Sequence, residues 1–245
     1  MTTVRDFFEY LNTLAPLETQ EAWDNSGMLV GDMNAEVSKA VVVLDIDATA
    51  IEKAKQLGAN LIISHHPVIF SAMKNFTKGS PAFELASSSI NAICMHTPLD
   101  IADGGTNDAL AELLGFNAYK GENSIMRFAD IEETTADTLA SHIAKALGTK
   151  VRFADSGKSI RKIAMCTGGG ASLMNEAGAI DAFITGDAKH NDFLDALDSG
   201  ITLIAAGHFE TEYPVVPVIT KKLQDAFGNI EIIDIKQDNP VQFTE

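Results

Sequence analysis

Residues 40–67, AVVVLDIDATAIEKAKQLGANLIISHHP, decide the fold. The apolar run at 40–46 predicts a buried strand, residues 48–57 predict a helix that ends at a glycine, and the run at 60–64 predicts a second strand. Two apolar strands joined by one helix form a βαβ unit, in which the strands run parallel. The stretch therefore indicates an α/β fold, and two histidines follow its second strand.

The same pattern continues on both sides of this stretch, and it occurs twice. Further helices are predicted at residues 3–14, 81–87, 108–114, 135–147 and 172–176, and further strands at 91–95, 160–166, 179–185 and 202–206. The second half runs through the elements of the first half in the same order. We therefore expect two related α/β lobes with largely parallel sheets. We place their boundary in the polar segment 120–124, which gives lobes at 1–122 and 123–245 that may exchange elements, with a metal site between them.

The composition fits a globular protein and excludes several classes of function. The chain has 245 residues, 46% of them hydrophobic, and a formal net charge of −16. Such an acidic surface repels phosphate backbones and anionic lipid, which argues against non-specific nucleic-acid or membrane binding. The sequence contains neither an apolar stretch of about 18 residues nor a basic start followed by an apolar segment, so we expect a cytoplasmic protein. Cys94 and Cys166 lack C-x-x-C spacing and are expected to be buried in strands.

Four of the six histidines follow predicted strands. His65 and His66 follow one strand, and His96 and His208 each follow another, at the strand ends where ligands of α/β sheets gather. A carboxylate stands four residues after His96 and four residues after His208. Adjacent residues of a strand point to opposite faces, so the neighbouring pair shares a site only if its strand ends there.

This group of side chains predicts a metal site. Imidazole and carboxylate suit zinc, iron, manganese, nickel or cobalt, and the proposed ligands are His65, His66, Asp100, His208 and Glu212. The set exceeds the need of one tetrahedral ion, whereas two divalent ions about 3.5–4 Å apart share a bridging carboxylate and a hydroxide. Hydrolysis is the expected chemistry. Ordinary turn histidines, and a surface pair four residues apart in a helix, are the alternatives.

Three other features leave alternatives open. His96 could bind metal or hold a ligand or the substrate, and His190 could line the cleft or lie in a plain loop. The glycine-rich segment 167–172 could bind an anion or allow close packing of helix and strand. Trp23 is expected in the core, and Asp24 beside it in a turn.

Five motifs identify a resemblance. They are WDNSG (23–27), GANLIISHHP (58–67), HTPLD (96–100) with Asn107 after it, ITGD (184–187) and GHFETE (207–212). In order and spacing they resemble the YbgI-like family of dinuclear-metal hexameric proteins, which are often named GTP cyclohydrolase type 2-like and whose eukaryotic relatives are called NGG-interacting factors. The resemblance covers essentially the whole chain.

The resemblance implies two α/β lobes, a ring-shaped homo-hexamer built as a trimer of dimers, and a two-metal site that faces the interior of the ring. It places the ligands on His65, His66, Asp100, His208 and Glu212, with Glu212 as the bridge and His96 close by. At 245 residues the chain has no room for the central insertion domain of some members, so it resembles the short bacterial form.

The expected function is that of a dinuclear-metal-dependent hydrolase, GTP cyclohydrolase type 2-like, acting on a small nucleotide-like or cyclic substrate. A metal-bridging hydroxide attacks the ring while His96 or His190 moves a proton. The charge of −16 opposes a triphosphate unless metals or lysines reverse its sign in the cleft. Two alternatives stay open: a non-catalytic metal-binding protein, either a metallochaperone or an interaction scaffold, and a two-metal phosphodiesterase or amidohydrolase.

Overall fold

The computed structural model describes residues 1–121 and 125–244 as an α/β protein. The strands are β1 (Gly27–Val30), β2 (Lys39–Val43), β3 (Leu61–Ser64), β4 (Asn91–Cys94), β5 (Tyr119–Lys120), β6 (Arg127–Thr134), β7 (Arg152–Ala154), β8 (Ile160–Cys166), β9 (Ala182–Thr185), β10 (Thr202–Ala205) and β11 (Glu231–Asp234). The α-helices are α1 (Val4–Leu14), α2 (Ala48–Leu57), α3 (Pro81–Ser87), α4 (Thr97–Ile101), α5 (Thr106–Leu113), α6 (Ala136–Leu147), α7 (His190–Ser199), α8 (His208–Glu212) and α9 (Val215–Ala226). Short 3-10 helices form at Leu17–Thr19 and Gly170–Glu176.

The chain divides into two compact units. The first unit comprises Met1–Gly105 and Val216–Asp238, and the second comprises Thr106–Val215 and Asn239–Glu245. A late segment of the chain, which carries β11, thus belongs to the first unit. The predicted boundary between residues 122 and 123 lies outside the described residues and stays a prediction.

The first unit is built on the βαβ stretch. Its sheet has the order β1-β4-β3-β2-β11, with β1 antiparallel to β4 and the other neighbours parallel. Helix α2 has the predicted bounds because Asp47 caps its first turn and Gly58 ends it at φ +69°. Val41 and Val43 of β2 pack with Ile51 of α2 in the core of this unit.

The second unit repeats this plan. Read from the β7 edge, its sheet has the order β7-β10-β9-β8-β6-β5, in which β8, β9 and β10 are parallel and the remaining neighbours are antiparallel. In each unit an antiparallel strand flanks the last strand of a parallel run, β4 in the first unit and β10 in the second. The predicted fold class and internal repeat are confirmed, although residues 172–176 lie in a 3-10 helix where a helix was expected.

Three further expectations concern the chain as a whole. Only the two units are found in the part of the chain that the structure describes, in agreement with the predicted absence of an insertion domain. No helix among the described residues is long and apolar enough to span a membrane. Cys94 in β4 and Cys166 in β8 are both buried, as predicted, and burial raises the pKa of the Cys94 thiol well above its ordinary value.

Candidate metal centre

Three imidazoles of the first unit meet where two parallel strands end. β3 ends at Ser64, so His65 and His66 leave the strand and turn toward the same place. His96 follows the neighbouring strand β4 and precedes the first turn of α4. A ring nitrogen of each of these three histidines lies within 4.8 Å of one from each of the others. We call His65, His66 and His96 the imidazole cluster.

Asp100 adds a carboxylate to the imidazole cluster. It lies in α4, four residues after His96, and its Oδ1 is 3.5 Å from Nε2 of His65. His65 is only 2% exposed and Asp100 only 7%. Burying an imidazole and a carboxylate side by side is costly unless they are paired or bind a metal ion.

Each imidazole of the cluster is held in one orientation through its Nδ1 atom. His65 Nδ1 lies 3.1 Å from the carbonyl oxygen of Met95, His66 Nδ1 lies 2.8 Å from Oδ1 of Asp45, and His96 Nδ1 lies 2.8 Å from Oδ1 of Asp24. A carbonyl or an ionised carboxylate only accepts, so Nδ1 carries the proton in each ring. The unprotonated nitrogen of the neutral ring is therefore Nε2, the atom that can bind a metal.

Asp24 is the most strongly bound of these acceptors. Besides His96, its carboxylate accepts hydrogen bonds from the backbone N–H of Thr97 at 3.1 Å, the Thr97 hydroxyl at 2.6 Å and the Ser26 hydroxyl at 2.8 Å. Burial of the carboxyl opposes its ionisation, but the hydrogen bonds from His96, Thr97 and Ser26 outweigh burial and hold the pKa of Asp24 well below its usual range. Asp24 is therefore ionised at neutral pH. Its backbone N–H donates to the carbonyl oxygen of Glu21 at 2.9 Å, in agreement with the predicted turn, and its carboxylate has in addition a role that the sequence did not predict.

The second unit carries an imidazole and a carboxylate on one short helix. His208 is the first residue of α8, and its Nε2 lies 3.1 Å from Oε2 of Glu212 at the end of that helix. His208 Nδ1 lies 2.7 Å from Oδ2 of Asp187, so this ring is oriented like those of the imidazole cluster. Glu212 is only 4% exposed, which excludes the alternative of an ordinary surface pair.

The glycine-rich segment makes room for this carboxylate. A Cβ atom at Gly168 would lie 2.0 Å from Oε1 of Glu212 and 3.2 Å from Nε2 of His208. A Cβ atom at Gly186 would lie 2.7 Å from Oγ1 of Thr211, the hydroxyl that accepts the N–H of Gly168. Of the two alternatives for this segment, the structure supports close packing, because these glycines let α8 approach the loops that follow β8 and β9.

The other residues singled out in the sequence belong to neither of these groups. His190 is exposed at the first residue of α7, and His142 is exposed on α6 with Nε2 2.7 Å from the Leu114 carbonyl oxygen. Trp23 is 59% exposed, so its predicted place in the core is wrong.

The carboxylates that orient the imidazoles were not predicted from the sequence. Asp45 and Asp187 each stand two residues after the end of a parallel strand, β2 and β9 respectively. Each orients the histidine that lies 21 residues later, after the neighbouring strand. This spacing of 21 residues, from one strand end to the next, could have revealed both pairs. No such spacing marks Asp24, because the histidine that it orients lies 72 residues later in the chain.

Comparison with known proteins gives the chain a family. A family model described as Duf34/NIF3 (NGG1p interacting factor 3) matches residues 2–240. A Campylobacter jejuni protein named GTP cyclohydrolase 1 type 2 homolog is 35% identical over 246 residues, which cover 97% of this chain and 98% of the relative. The crystal structure of Staphylococcus aureus protein SA1388 has a TM-score of 0.91 at 27% identity, with 99% of each chain covered. The protein ybgI, of unknown function, has a TM-score of 0.89 at 25% identity over 98% of this chain and 100% of that one. With nearly every residue matched by the family model, and with the fold and motif order that the YbgI-like resemblance implied, the chain belongs to the Duf34/NIF3 family.

Proposed function

We propose that this protein is a metal-dependent hydrolase that holds two divalent ions and acts on a small nucleotide-like or cyclic substrate. The proposed ligands are those predicted from the sequence, His65, His66, Asp100, His208 and Glu212. One observation carries the proposal: all four strand-end imidazoles are held through Nδ1 by an oxygen acceptor. Metal-binding histidines almost always have this arrangement.

The chemistry of the donors fits such ions. Imidazole nitrogens and carboxylate oxygens suit zinc, iron, manganese, nickel or cobalt. Gly168 leaves space for the Glu212 carboxylate, which lies 3.1 Å from Nε2 of His208, and this proximity supports both residues as ligands. We propose that Glu212 would serve both ions as a shared ligand.

Divalent ions at such a site act as Lewis acids and lower the pKa of a bound water toward neutrality. The protein supplies orientation and proton transfer. The ionised Asp24 keeps a proton on His96 Nδ1, which leaves Nε2 able to accept a proton and return it, or to bind an ion. His190 stays a second prediction for proton transfer, from the start of α7. The name of the Campylobacter jejuni relative supports a nucleotide-like substrate.

Metal content tests the proposal. The protein is purified without chelator or a histidine tag, and metals are counted by elemental analysis in the parent and in His65→Ala. About two ions per chain are expected in the parent and fewer in the variant. His142→Ala is the matched control, because this exposed histidine of α6 stands apart from the proposed ligands and should keep the parent content.

Activity is then measured on the metal-loaded protein with GTP, phosphodiester and amide substrates. Opening of the purine ring supports the cyclohydrolase, whereas cleavage of an ester or amide supports the alternative hydrolases. A loaded protein that is inactive on all of them, with His96→Ala and His190→Ala unchanged in metal content, would favour a metallochaperone or scaffold. A metal-free parent that cannot be reloaded would contradict the proposal.

We further propose that the protein works as a cytoplasmic homo-hexamer, a trimer of dimers, as the family resemblance implies. Light scattering measures this directly, with six chains of 26.2 kDa as the expected mass. A monomer at micromolar concentration would contradict it.

A further inference from the structure

Two aromatic rings border the imidazole cluster and face solvent. Trp23 is 59% exposed and Phe70 is 51% exposed, and their ring centroids lie 6.0 Å apart. The centroid of the His96 ring lies 5.9 Å from that of Trp23 and 6.3 Å from that of Phe70, at 77° to each. Both rings thus lie edge-to-face with a member of the imidazole cluster.

The loops that carry these rings are tied in place. The Asn25 side-chain amide donates to the carbonyl oxygen of Ile69 at 2.6 Å, which joins the two loops beside Trp23 and Phe70. The backbone N–H of Glu21 donates to the Thr97 hydroxyl at 3.0 Å. Asp24, the next residue after Trp23, is fixed by His96. Aromatic side chains on loops that are already fixed lose little conformational entropy when they bind a ligand.

We infer that Trp23 and Phe70 form a stacking surface for the planar heteroaromatic ring of the substrate. The inference rests on the proposed function and names the part of the substrate that the protein recognises. Stacking between a base and an aromatic side chain contributes about 1–3 kcal/mol, and it does not depend on phosphate groups, which a chain of charge −16 repels. A ring stacked here lies next to the imidazole cluster, where the proposed chemistry takes place.

A small planar ligand suits this surface better than a second protein chain does. A chain seated on Trp23 and Phe70 would cover the approach to His96, which both rings adjoin. The neighbouring exposed ring of the same loop, Phe76, packs instead on Phe83 with centroids 5.4 Å apart. Phe76 thus has a ring partner of its own, whereas Trp23 and Phe70 lie against each other and against His96.

Fluorescence tests the inference, because Trp23 is the single tryptophan of the chain. The full-length, metal-loaded protein is titrated with guanosine, GTP and inorganic tripolyphosphate. We expect saturable quenching of Trp23 emission by guanosine and GTP, and none by tripolyphosphate. Phe70→Ala should weaken guanosine binding about 5- to 150-fold, the equivalent of 1–3 kcal/mol. Phe76→Ala is the matched control, since Phe76 is equally exposed at 52%, and it should bind as the parent does.

Tryptophan variants provide an independent measurement by calorimetry. Trp23→Phe keeps an aromatic face and should retain most of the guanosine affinity, whereas Trp23→Ala should lose it. Base-dependent quenching by a protein that hydrolyses nothing would support the stacking surface and overturn only the proposed function. Turnover of GTP with no quenching, and with an unchanged KM in Phe70→Ala, would overturn the stacking surface alone. Emission that depends on protein concentration and not on guanosine would assign the surface to a second copy of the chain and overturn the inference.

Discussion

Replacing Asp24 by asparagine should weaken metal binding and the fold together. The Asp24 side chain is fully buried and accepts hydrogen bonds from His96, from the backbone and hydroxyl of Thr97, and from Ser26. Asparagine keeps the size but has only one acceptor oxygen, so its amide group must face one of these donors. If the asparagine oxygen still accepts the hydrogen bond from His96, its NH₂ group faces the N–H of Thr97, and two donors then point at each other.

The magnitude follows from these contacts. An unsatisfied buried donor costs about 1–3 kcal/mol, and the His96 bond loses the assistance of a charge, which is worth roughly 1 kcal/mol more. We therefore expect Asp24→Asn to lower the free energy of unfolding by about 2–4 kcal/mol. Removing a carboxylate that orients a metal-binding histidine typically costs 10–100-fold in affinity. His96 borders the proposed ligands and is not one of them, so we expect a loss of no more than about 10-fold here, the lower end of that range.

The assays are urea unfolding of the metal-free protein and competition with a chromophoric chelator for the loaded one. Asp47→Asn is the matched control, because Asp47 caps α2 through the N–H of Ala50 and asparagine caps about equally well. It should change the free energy of unfolding by less than about 0.5 kcal/mol and leave metal affinity unaltered. Parent stability and parent affinity in Asp24→Asn would refute the role given to this carboxylate.

The pH dependence supplies a second check on the same residue. Folding lowers the pKa of Asp24, so its contribution to stability is complete above the ordinary carboxyl value of about 3.9 and is lost as the pH falls below it. The difference in free energy of unfolding between the parent and Asp24→Asn should therefore shrink below about pH 4. A difference that grows in acid would contradict the ionised state of Asp24.

Three further predictions concern the proposed ligands and the loops that support them. Glu212→Ala should lose at least one of two ions, because a bridging carboxylate serves both, and elemental analysis that still finds two would exclude the bridge. Gly168→Ala should destabilise the fold by about 1–3 kcal/mol and lower metal content, because the new Cβ meets the Glu212 carboxylate at 2.0 Å and φ is +58°. Its matched control is Gly169→Ala, where nothing lies within 4 Å of the new Cβ and φ is −83°, and equal effects of the two changes in thermal unfolding would count against the packing argument. Asp45→Asn should reduce metal affinity in chelator competition by about 10-fold, the lower end of the usual range, because Asp45 orients the proposed ligand His66 but its side chain is 48% exposed and water can replace part of its hydrogen bond.

Much of the fold could be predicted where local signals coincide. The helix predicted at 48–57 has an Asp cap before it and a glycine after it, and the helix predicted at 81–87 begins with a proline. The predicted bounds of both helices agree with the structure. β11 was not predicted at all. It pairs with β2 about 190 residues earlier in the chain, and no local pattern reports a pairing at that distance.

The candidate site, like the fold, was predicted only where its residues stand next to a local signal. The imidazoles and their carboxylates could be found because they follow apolar strands directly. Trp23 was wrongly placed in the core because tryptophan side chains are, on average, largely buried. The next residue, Asp24, accepts hydrogen bonds from His96 and Thr97, and no local pattern predicts contacts between residues more than 70 positions apart.

Both units nevertheless share one feature that a sequence can reveal, an aspartate and a histidine at the ends of neighbouring parallel strands. In a parallel sheet, neighbouring strands end at the same edge, so a side chain just beyond one strand lies beside a side chain just beyond the next. Val43 pairs with Ser64, and continuing that register by two residues brings Asp45 beside His66. In the second unit, Thr185 pairs with Ala205, and the same extension brings Asp187 to within one residue of His208. An aspartate two residues after one strand and a histidine 21 residues later therefore indicate an oriented imidazole, and the recurrence of this spacing in both units argues that orienting these imidazoles belongs to the fold itself.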